Sequence, residues 1–244
     1  ETSAVFLIAF VVLLIGISKS AFAGALGVFA VPLLMLKFSA VEAIALILPL
    51  LIIADVMTVR SFWKKWDAQL LRSLIPGALI GIVIANVMLD FANPDHLRVI
   101  IAIICIVFAI KSIWFKKVKL TFLKSRLGAF VMSASSGISS TMVHAGGPPL
   151  ILYFSVIGLS QTKVVATTAA LLAFLNIGKF IGSVSLGLLT SDVAFTALAF
   201  VPFAFISNGI GVKITKRINK AVFLNIMNYL LLILGIWLLL HSVI

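Results

Sequence analysis

The amino-acid sequence predicts an all-α polytopic membrane protein with an inverted-topology repeat. Of its 244 residues, 63% are hydrophobic and 11% are charged, and the mean hydropathy is +1.28. The long apolar segments reach or approach the roughly 20 residues that a helix needs to cross a hydrocarbon core about 30 Å thick. We expect each half to contain a broken, re-entrant helix pair followed by three transmembrane helices, an arrangement known from inverted repeats.

The basic residues determine the predicted orientation of the chain. The formal net charge is +12, but its distribution argues against a nucleic-acid partner. Arginine and lysine cluster at 60–72, 111–126 and 213–220, each time beside an apolar segment. This is the positive-inside pattern of membrane proteins. We therefore place these loops in the cytosol and both termini outside.

With the basic loops in the cytosol, the chain divides into two halves of opposite orientation. The predicted units are a first repeat at 1–115, a basic cytosolic linker at 116–126 and a second repeat at 127–244. The predicted spans are 40–59, 73–90, 97–115, 163–187, 193–212 and 221–243. By parity, the remaining stretches 3–37 and 127–158 each enter and leave on the same side. A shift of 121 residues aligns Asp55 with Asn176, and a shift of about 126 aligns Pro76 with Pro202.

Both of these stretches contain helix breakers, in SKSAFAGALGVFAVP at 18–32 and SSGISSTMVHAGGPP at 135–149. Proline suits the first turn of a helix, so Pro148 and Pro149 are predicted to begin a half-helix that runs to Ile157. The chain after Gly24 or Gly27 is predicted to begin another. Helix N-termini carry unpaired N–H groups and a partial positive charge, so two facing half-helices predict an anion site. Alternatively, the glycines only allow close helix packing.

Polar residues at membrane depth give the candidate substrate-binding set: Lys19, Ser20, Gly24, His144, Gly146, Gly147, Pro148, Asn176 and Lys179. A lysine deep in a span is costly and usually faces a cavity or a partner, so Lys179 is expected to pair with a substrate anion or to balance Asp55. Asn176 lies three residues before it and shares its helix face. Candidates for coupling or gating are Asp55, His144 and Asn208. The alternatives are snorkelling for Lys19, a boundary charge for Asp55 and a helix cap for His144.

Three segments of the second half, HAGGPPLILYF, GLSQTKVVATTA and NIGKFIGSVSLGLL, together resemble the signature of the sulfite exporter TauE/SafE family (TSUP). In the first half, AFAGALGVFAVPLLML resembles the family's Gly…Gly…Pro motif, and the resemblance covers nearly the whole chain. It implies a transporter in the bacterial inner membrane for sulfite, sulfoacetate or other organosulfonates, and the family's naming favours export. A coupling proton or ion and an oligomer are compatible with this. The first motif lacks the tight glycine cluster, so we expect the second break to contribute more to binding.

Two other functions are compatible with parts of the sequence. An anion channel would use the same helix breaks. An intramembrane serine hydrolase would use Ser139, Ser140 and His144, but no carboxylate is placed to orient the histidine and no hydrolase motif is present. We therefore predict no enzyme, no catalytic residues, and neither a metal nor a cofactor.

Overall fold

The computed structural model describes residues 2–34, 37–38, 40–91, 121–144, 146–185 and 191–240, with isolated positions between 99 and 114. The helices in these ranges are α1 (Thr2–Ala21), α2 (Ala30–Leu34), α3 (Ala40–Ser61), α4 (Ala68–Phe91), α5 (Arg126–Val143), α6 (Gly147–Ile157), α7 (Gln161–Ser185), α8 (Ser191–Ala199), α9 (Val201–Arg217) and α10 (Lys220–Leu240). Short 3-10 helices occupy Ala25–Phe29 and Thr121–Lys124. The described part of the chain is all helical. Most of the predicted span 97–115 and of the 116–126 linker lies outside the described residues.

Most predicted spans correspond to single helices. The predicted spans 40–59 and 163–187 are α3 and α7, and 73–90 falls within α4, which begins earlier, at Ala68. The predicted span 193–212 instead consists of two helices, α8 and α9, separated at Phe200. Pro202 lies in the first turn of α9. Because a proline ring clashes with the preceding turn of a helix, it favours an interruption there.

The helices have the length and the surface of a membrane protein. Within the described residues, Ser3–Ala21, Ala68–Val87 and Gln161–Ile181 are long and apolar enough to cross a bilayer. Large apolar side chains point outward, with Phe6 72% and Phe195 71% exposed. A broad apolar surface of this kind is unfavourable in water but suits contact with lipid. The chain is therefore a membrane protein.

Two helix pairs, α4 with α5 and α1 with α9, make the most extensive contacts. Both depend on small residues. A Cβ atom added at Gly81 of α4 would lie 2.1 Å from the carbonyl oxygen of Ala134 in α5, and one added at Gly16 of α1 would lie 1.8 Å from Ser207 Oγ in α9. Without Cβ atoms at these points the helices approach closely, and packing contacts of this kind hold membrane helices together.

Helices α3 and α7 pack against each other, and α3 also contacts α1 and α9. Helix α7 also contacts α1, α4, α5 and α6. The short helix α6 is enclosed, since residues 147–154 are all buried. This packing brings the polar residues of α7 next to the ends of α1 and α5, where the chain is broken.

Candidate functional site

The two helix breaks are in direct backbone contact. Ala23, two residues after the end of α1, has φ 49°, and His144, which follows α5, has φ 55°. Both residues lie in the left-handed region. A Cβ atom added at Gly147 would lie 2.3 Å from the carbonyl oxygen of Ala23, and one at Gly27 would lie 3.3 Å from that of His144. Each break therefore places a glycine against the left-handed residue of the other, and Gly147 has no room for a side chain.

The first turn of α6 exposes two backbone donors at this junction. Gly146 is the N-cap and Gly147 the first helical residue, followed by Pro148 and Pro149. The half-helix predicted from 148–157 is therefore confirmed. Proline has no N–H group, so only the two glycines can donate from this end. No partner for either glycine N–H is found among the described residues, while the Gly146 carbonyl accepts a hydrogen bond from Ser136 Oγ at 2.6 Å.

The first break uses its own donors internally. The N–H of Gly24, a residue with φ 78°, donates to the carbonyl of Ser18 at 2.9 Å. The N–H of Leu26 donates to Ser18 Oγ, also at 2.9 Å. The following helix α2 has only five residues, so its macrodipole is weak. The two breaks are therefore unequal: most described N–H groups of the first are bound within it, Ala23 excepted, whereas both glycine N–H groups of the second lack a described partner.

A buried charge pair lies next to the breaks. The Lys19 ammonium, in the last turn of α1, donates to Asp55 Oδ1 on α3. Asn176 Nδ2 on α7 donates to Asp55 Oδ2 at 2.6 Å. Lys19 is 5% exposed and Asp55 1%, so neither snorkelling nor a boundary charge describes them. Three helices meet at this carboxylate, and the pair of charges is neutral overall.

Lys179 has only neutral partners among the described residues. Its ammonium, one turn after Asn176 on α7, donates to the carbonyl oxygen and to Oγ of Ser140, each at 3.0 Å. The carboxylate of Asp55 is thus balanced by Lys19, while Lys179 lies close enough to both for their charges to act on it. We call Lys19, Asp55, Asn176 and Lys179 the cluster. Its described charges sum to one positive charge, which favours an anion.

Three buried side-chain atoms have no hydrogen-bond partner in the described part of the chain: His144 Nδ1, Thr168 Oγ1 and Asn176 Oδ1. Buried polar atoms are almost always paired, so orphans of this kind point to a ligand or water that completes them. His144 is also the C-cap of α5, donating its N–H to the carbonyl of Ser139. Its predicted role as a cap is therefore present, and its imidazole remains available.

Two predicted residues lie apart from this cluster. Ser20 is fully buried and faces α9, where a Cβ atom added at Gly211 would lie 1.9 Å from Ser20 Oγ. Asn208 exchanges hydrogen bonds with Ser61 at the end of α3, at 3.0 and 3.2 Å. The Ser20 hydroxyl donates to the carbonyl of Gly16 in its own helix at 2.6 Å, and Asn208 joins α9 to α3. Neither side chain has a described hydrogen bond to Lys19, Asp55, Asn176 or Lys179.

Two serines that support the second break were not among the substrate-binding residues predicted from the sequence. Ser136 binds the Gly146 carbonyl and Ser140 binds Lys179. Their spacing is a signal, because residues four apart in SSGISS lie on one helix face. No described hydrogen bond joins the hydroxyl of Ser139 or Ser140 to the imidazole of His144. The described residues bring together no group of three or more His, Cys, Asp or Glu side chains that could hold a metal ion.

A cleft of about 300 Å³ opens beside the charge pair, between α3 and α7. It is lined by Ile52, Asp55, Val56, Val59, Arg60, Trp63, Ala173 and Ile177. Asp55 is the residue common to the cleft and the buried cluster.

A second ion pair lies at the helix ends, away from the cluster. Lys163 at the start of α7 donates to Asp67 Oδ2 at 3.1 Å. Asp67 also caps α4, accepting the N–H of Leu70 at 3.1 Å. The Leu70 N–H, followed by the Lys163 ammonium, holds the pKa of Asp67 below its usual value. Substitutions in this exposed pair can therefore serve as controls for substitutions in the buried Lys19–Asp55 pair.

Comparison with known families agrees with the resemblance seen in the sequence. The family model for the sulfite exporter TauE/SafE matches residues 8–238. No curated protein and no solved structure gives a significant match. The matched region includes both breaks, the buried charge pair and Lys179. The chain belongs to the sulfite exporter TauE/SafE family, whose members are transporters and not enzymes.

Proposed function

We propose that this protein is a secondary transporter that moves small sulfur-containing anions, namely sulfite, sulfoacetate or other organosulfonates, out of the bacterial cell across the inner membrane. The observation that carries the proposal is Lys179. This lysine has only neutral partners among the described residues and lies beside a break whose glycine N–H groups are open. A cation and open backbone donors that lie together within the helix bundle are suited to an oxyanion.

The substrate class follows from the number and type of these donors. A sulfite or sulfonate group offers three oxygens that only accept hydrogen bonds. The N–H groups of Gly146 and Gly147 and the ammonium of Lys179 supply donors to match them. Asn176 and His144 lie at the same junction and add polar atoms whose donor or acceptor state depends on side-chain orientation and tautomer. Charge-assisted bonds to Lys179 contribute most of the affinity, since they are roughly twice as strong as neutral ones.

The proposed architecture is two inverted repeats, 1–115 and 127–244, joined by the linker 116–126. Contacts between the halves are consistent with it, because the first helix of each half packs on the other half, α1 on α9 and α5 on α4. The bonded pair Asp55 and Asn176 is 121 residues apart, the same offset that relates Ala23 to His144. Residues related by an inverted repeat meet where they lie near its axis. Rocking of the halves about this point would give alternating access.

The proposed orientation keeps the basic loops in the cytosol and both termini outside. A cysteine introduced between Lys116 and Lys124, in a background with Cys105 replaced by serine, tests it. It should resist an impermeant thiol reagent added outside intact cells. Labelling from outside would invert the orientation.

Flux measurements distinguish the transporter from a channel. Reconstituted in liposomes, a transporter shows saturable uptake of sulfite or sulfoacetate and is stimulated by anion on the opposite side. An anion channel shows neither. A coupling proton or ion would appear as a dependence on its gradient. Wild-type protein that neither binds nor moves either anion would overturn the proposed function.

One substitution distinguishes a serine hydrolase from an anion transporter. Lys179 contacts Ser140 Oγ at 3.0 Å, a pairing that some hydrolases use for a nucleophile and its base. Ser140→Ala should abolish the activity of a serine hydrolase that uses this serine as its nucleophile. In an anion transporter it removes one neighbour of the cation and leaves transport measurable.

A further inference from the structure

We propose, on the basis of the anion transport proposed above, that Asp55 is a built-in counter-anion: its carboxylate occupies Lys19 in the empty protein, and the transported anion displaces it. The carboxylate resembles the substrate in chemistry, with one negative charge spread over acceptor oxygens. Each oxygen is already bound, one by Lys19 and the other by Asn176. Asp55 thus receives the type of contact that a sulfite or sulfonate group needs.

The charges explain why an internal anion is required. Lys19 and Asn176 bind the same carboxylate, and Lys179 lies three residues after Asn176 on α7, so without Asp55 two cations would share one region. A buried cation without a counter-ion is strongly unfavourable. Asp55 removes this cost in the empty state and leaves one positive charge at Lys179, to which the incoming anion is first attracted.

The carboxylate is held where α1, α3 and α7 meet, by one hydrogen bond from Lys19 and one from Asn176. Displacement therefore requires the exchange of these two contacts. The exchange would break the bond that ties α3 to α1 and loosen the bond from α3 to α7. Occupancy of the site is thereby linked to the packing of helices from both halves.

An internal competitor lowers the apparent affinity for the substrate. If Lys19 is free in only about one molecule in ten, the measured Kd is about tenfold higher than that of the uncontested site. Asp55→Asn keeps the shape and an acceptor for Asn176 but removes the charge. We expect its Kd for sulfite and sulfoacetate to fall by roughly tenfold or more. Its flux in liposomes should fall, because the anion is released more slowly.

The experiment measures anion binding by the full-length purified protein and compares three variants. Asp67→Asn is the matched control, since it neutralises the carboxylate of the exposed Lys163 pair, and its Kd should equal that of the wild type. Lys19→Met combined with Asp55→Asn removes both charges, and its affinity should be weaker than that of Asp55→Asn alone. If Asp55→Asn is unstable when empty, it should be purified with sulfite. Its unfolding temperature should then rise more with added sulfite than that of the wild type.

The outcomes separate the two proposals. Wild-type protein that binds either anion, with Asp55→Asn showing an unchanged or higher Kd and no larger thermal shift, overturns the counter-anion role and leaves the transport function standing. Wild-type protein that binds neither anion overturns the transport function, and the counter-anion role with it. Tighter binding with slower flux supports both.

Discussion

Replacing Lys179 by methionine tests the core of the anion site, because it removes the charge and keeps a side chain of similar length. The ammonium makes two hydrogen bonds, both to Ser140 at 3.0 Å. Losing them is offset by no longer holding a charge away from water, so the free energy of unfolding without substrate should stay within about 1 kcal/mol of wild type. Substrate binding should suffer much more. A hydrogen bond to a charged group contributes about 1.5–3 kcal/mol, which corresponds to a Kd roughly 10- to 100-fold higher.

The assay combines thermal unfolding with and without sulfite and saturable flux in liposomes. Lys163→Met is the control, because this lysine is half exposed and pairs with Asp67. An exposed pair contributes at most about 1 kcal/mol to stability, and its loss should leave sulfite binding unchanged. If Lys179→Met unfolds far more easily when empty yet binds sulfite like the wild type, the lysine is structural and the reasoning fails.

Three further substitutions test the second break, Ser140 and the cap of α4, and a fourth, Gly158→Ala, is the control for the first. Gly147→Ala would place a Cβ atom 2.3 Å from a carbonyl oxygen of the first break, so we expect a loss of about 1–3 kcal/mol in unfolding free energy and weaker sulfite binding; Gly158→Ala, with nothing within 4 Å but φ +76°, should cost about 1 kcal/mol and leave binding intact. Ser140→Ala should raise the KM for sulfite severalfold while transport remains measurable; a complete loss of transport would contradict its role as one neighbour of the Lys179 ammonium. Asp67→Ala removes the cap of α4 and should cost about 1 kcal/mol near neutral pH. Because the folded pKa of Asp67 lies below its unfolded value, this difference is present above the unfolded pKa and should disappear as the pH falls through the folded pKa; a difference that grows in acid would contradict this assignment.

The helix breaks were predictable because their causes are local. Two glycines followed by Pro148 and Pro149 fix the start of α6 whatever surrounds it, and α6 begins at Gly147 as this chemistry requires. The helix neighbours Asn176 and Lys179 were also evident from their spacing on one face. The interruption at Phe200 was not predicted, although a proline follows it. Pro49 and Pro76 lie inside continuous helices, so a proline alone does not reveal whether packing will re-form the helix around it.

The partners of the charged residues could not be obtained from the sequence. Only Lys179 was predicted as a possible partner of Asp55, and whether the carboxylate pairs with Lys179 or with Lys19 depends on how α1, α3 and α7 are arranged. The structure assigns the carboxylate to Lys19. The alignment of Asp55 with Asn176 nevertheless carried a usable signal. Residues that align in an inverted repeat can meet across its axis, and these two are hydrogen bonded.

In the proposed anion site, the two prolines of the second break would favour weak, reversible binding. A helix that begins without proline offers up to four unpaired N–H groups, and with Lys179 these would hold an oxyanion tightly. Pro148 and Pro149 remove two of these donors and stiffen the turn that presents the remaining two, at Gly146 and Gly147. A transporter must release its substrate on the far side, so a site with few, rigid donors is better suited to turnover than a complete cradle. The same reasoning applies to the proposed counter-anion role of Asp55, which would lower the affinity for the substrate by competing for Lys19.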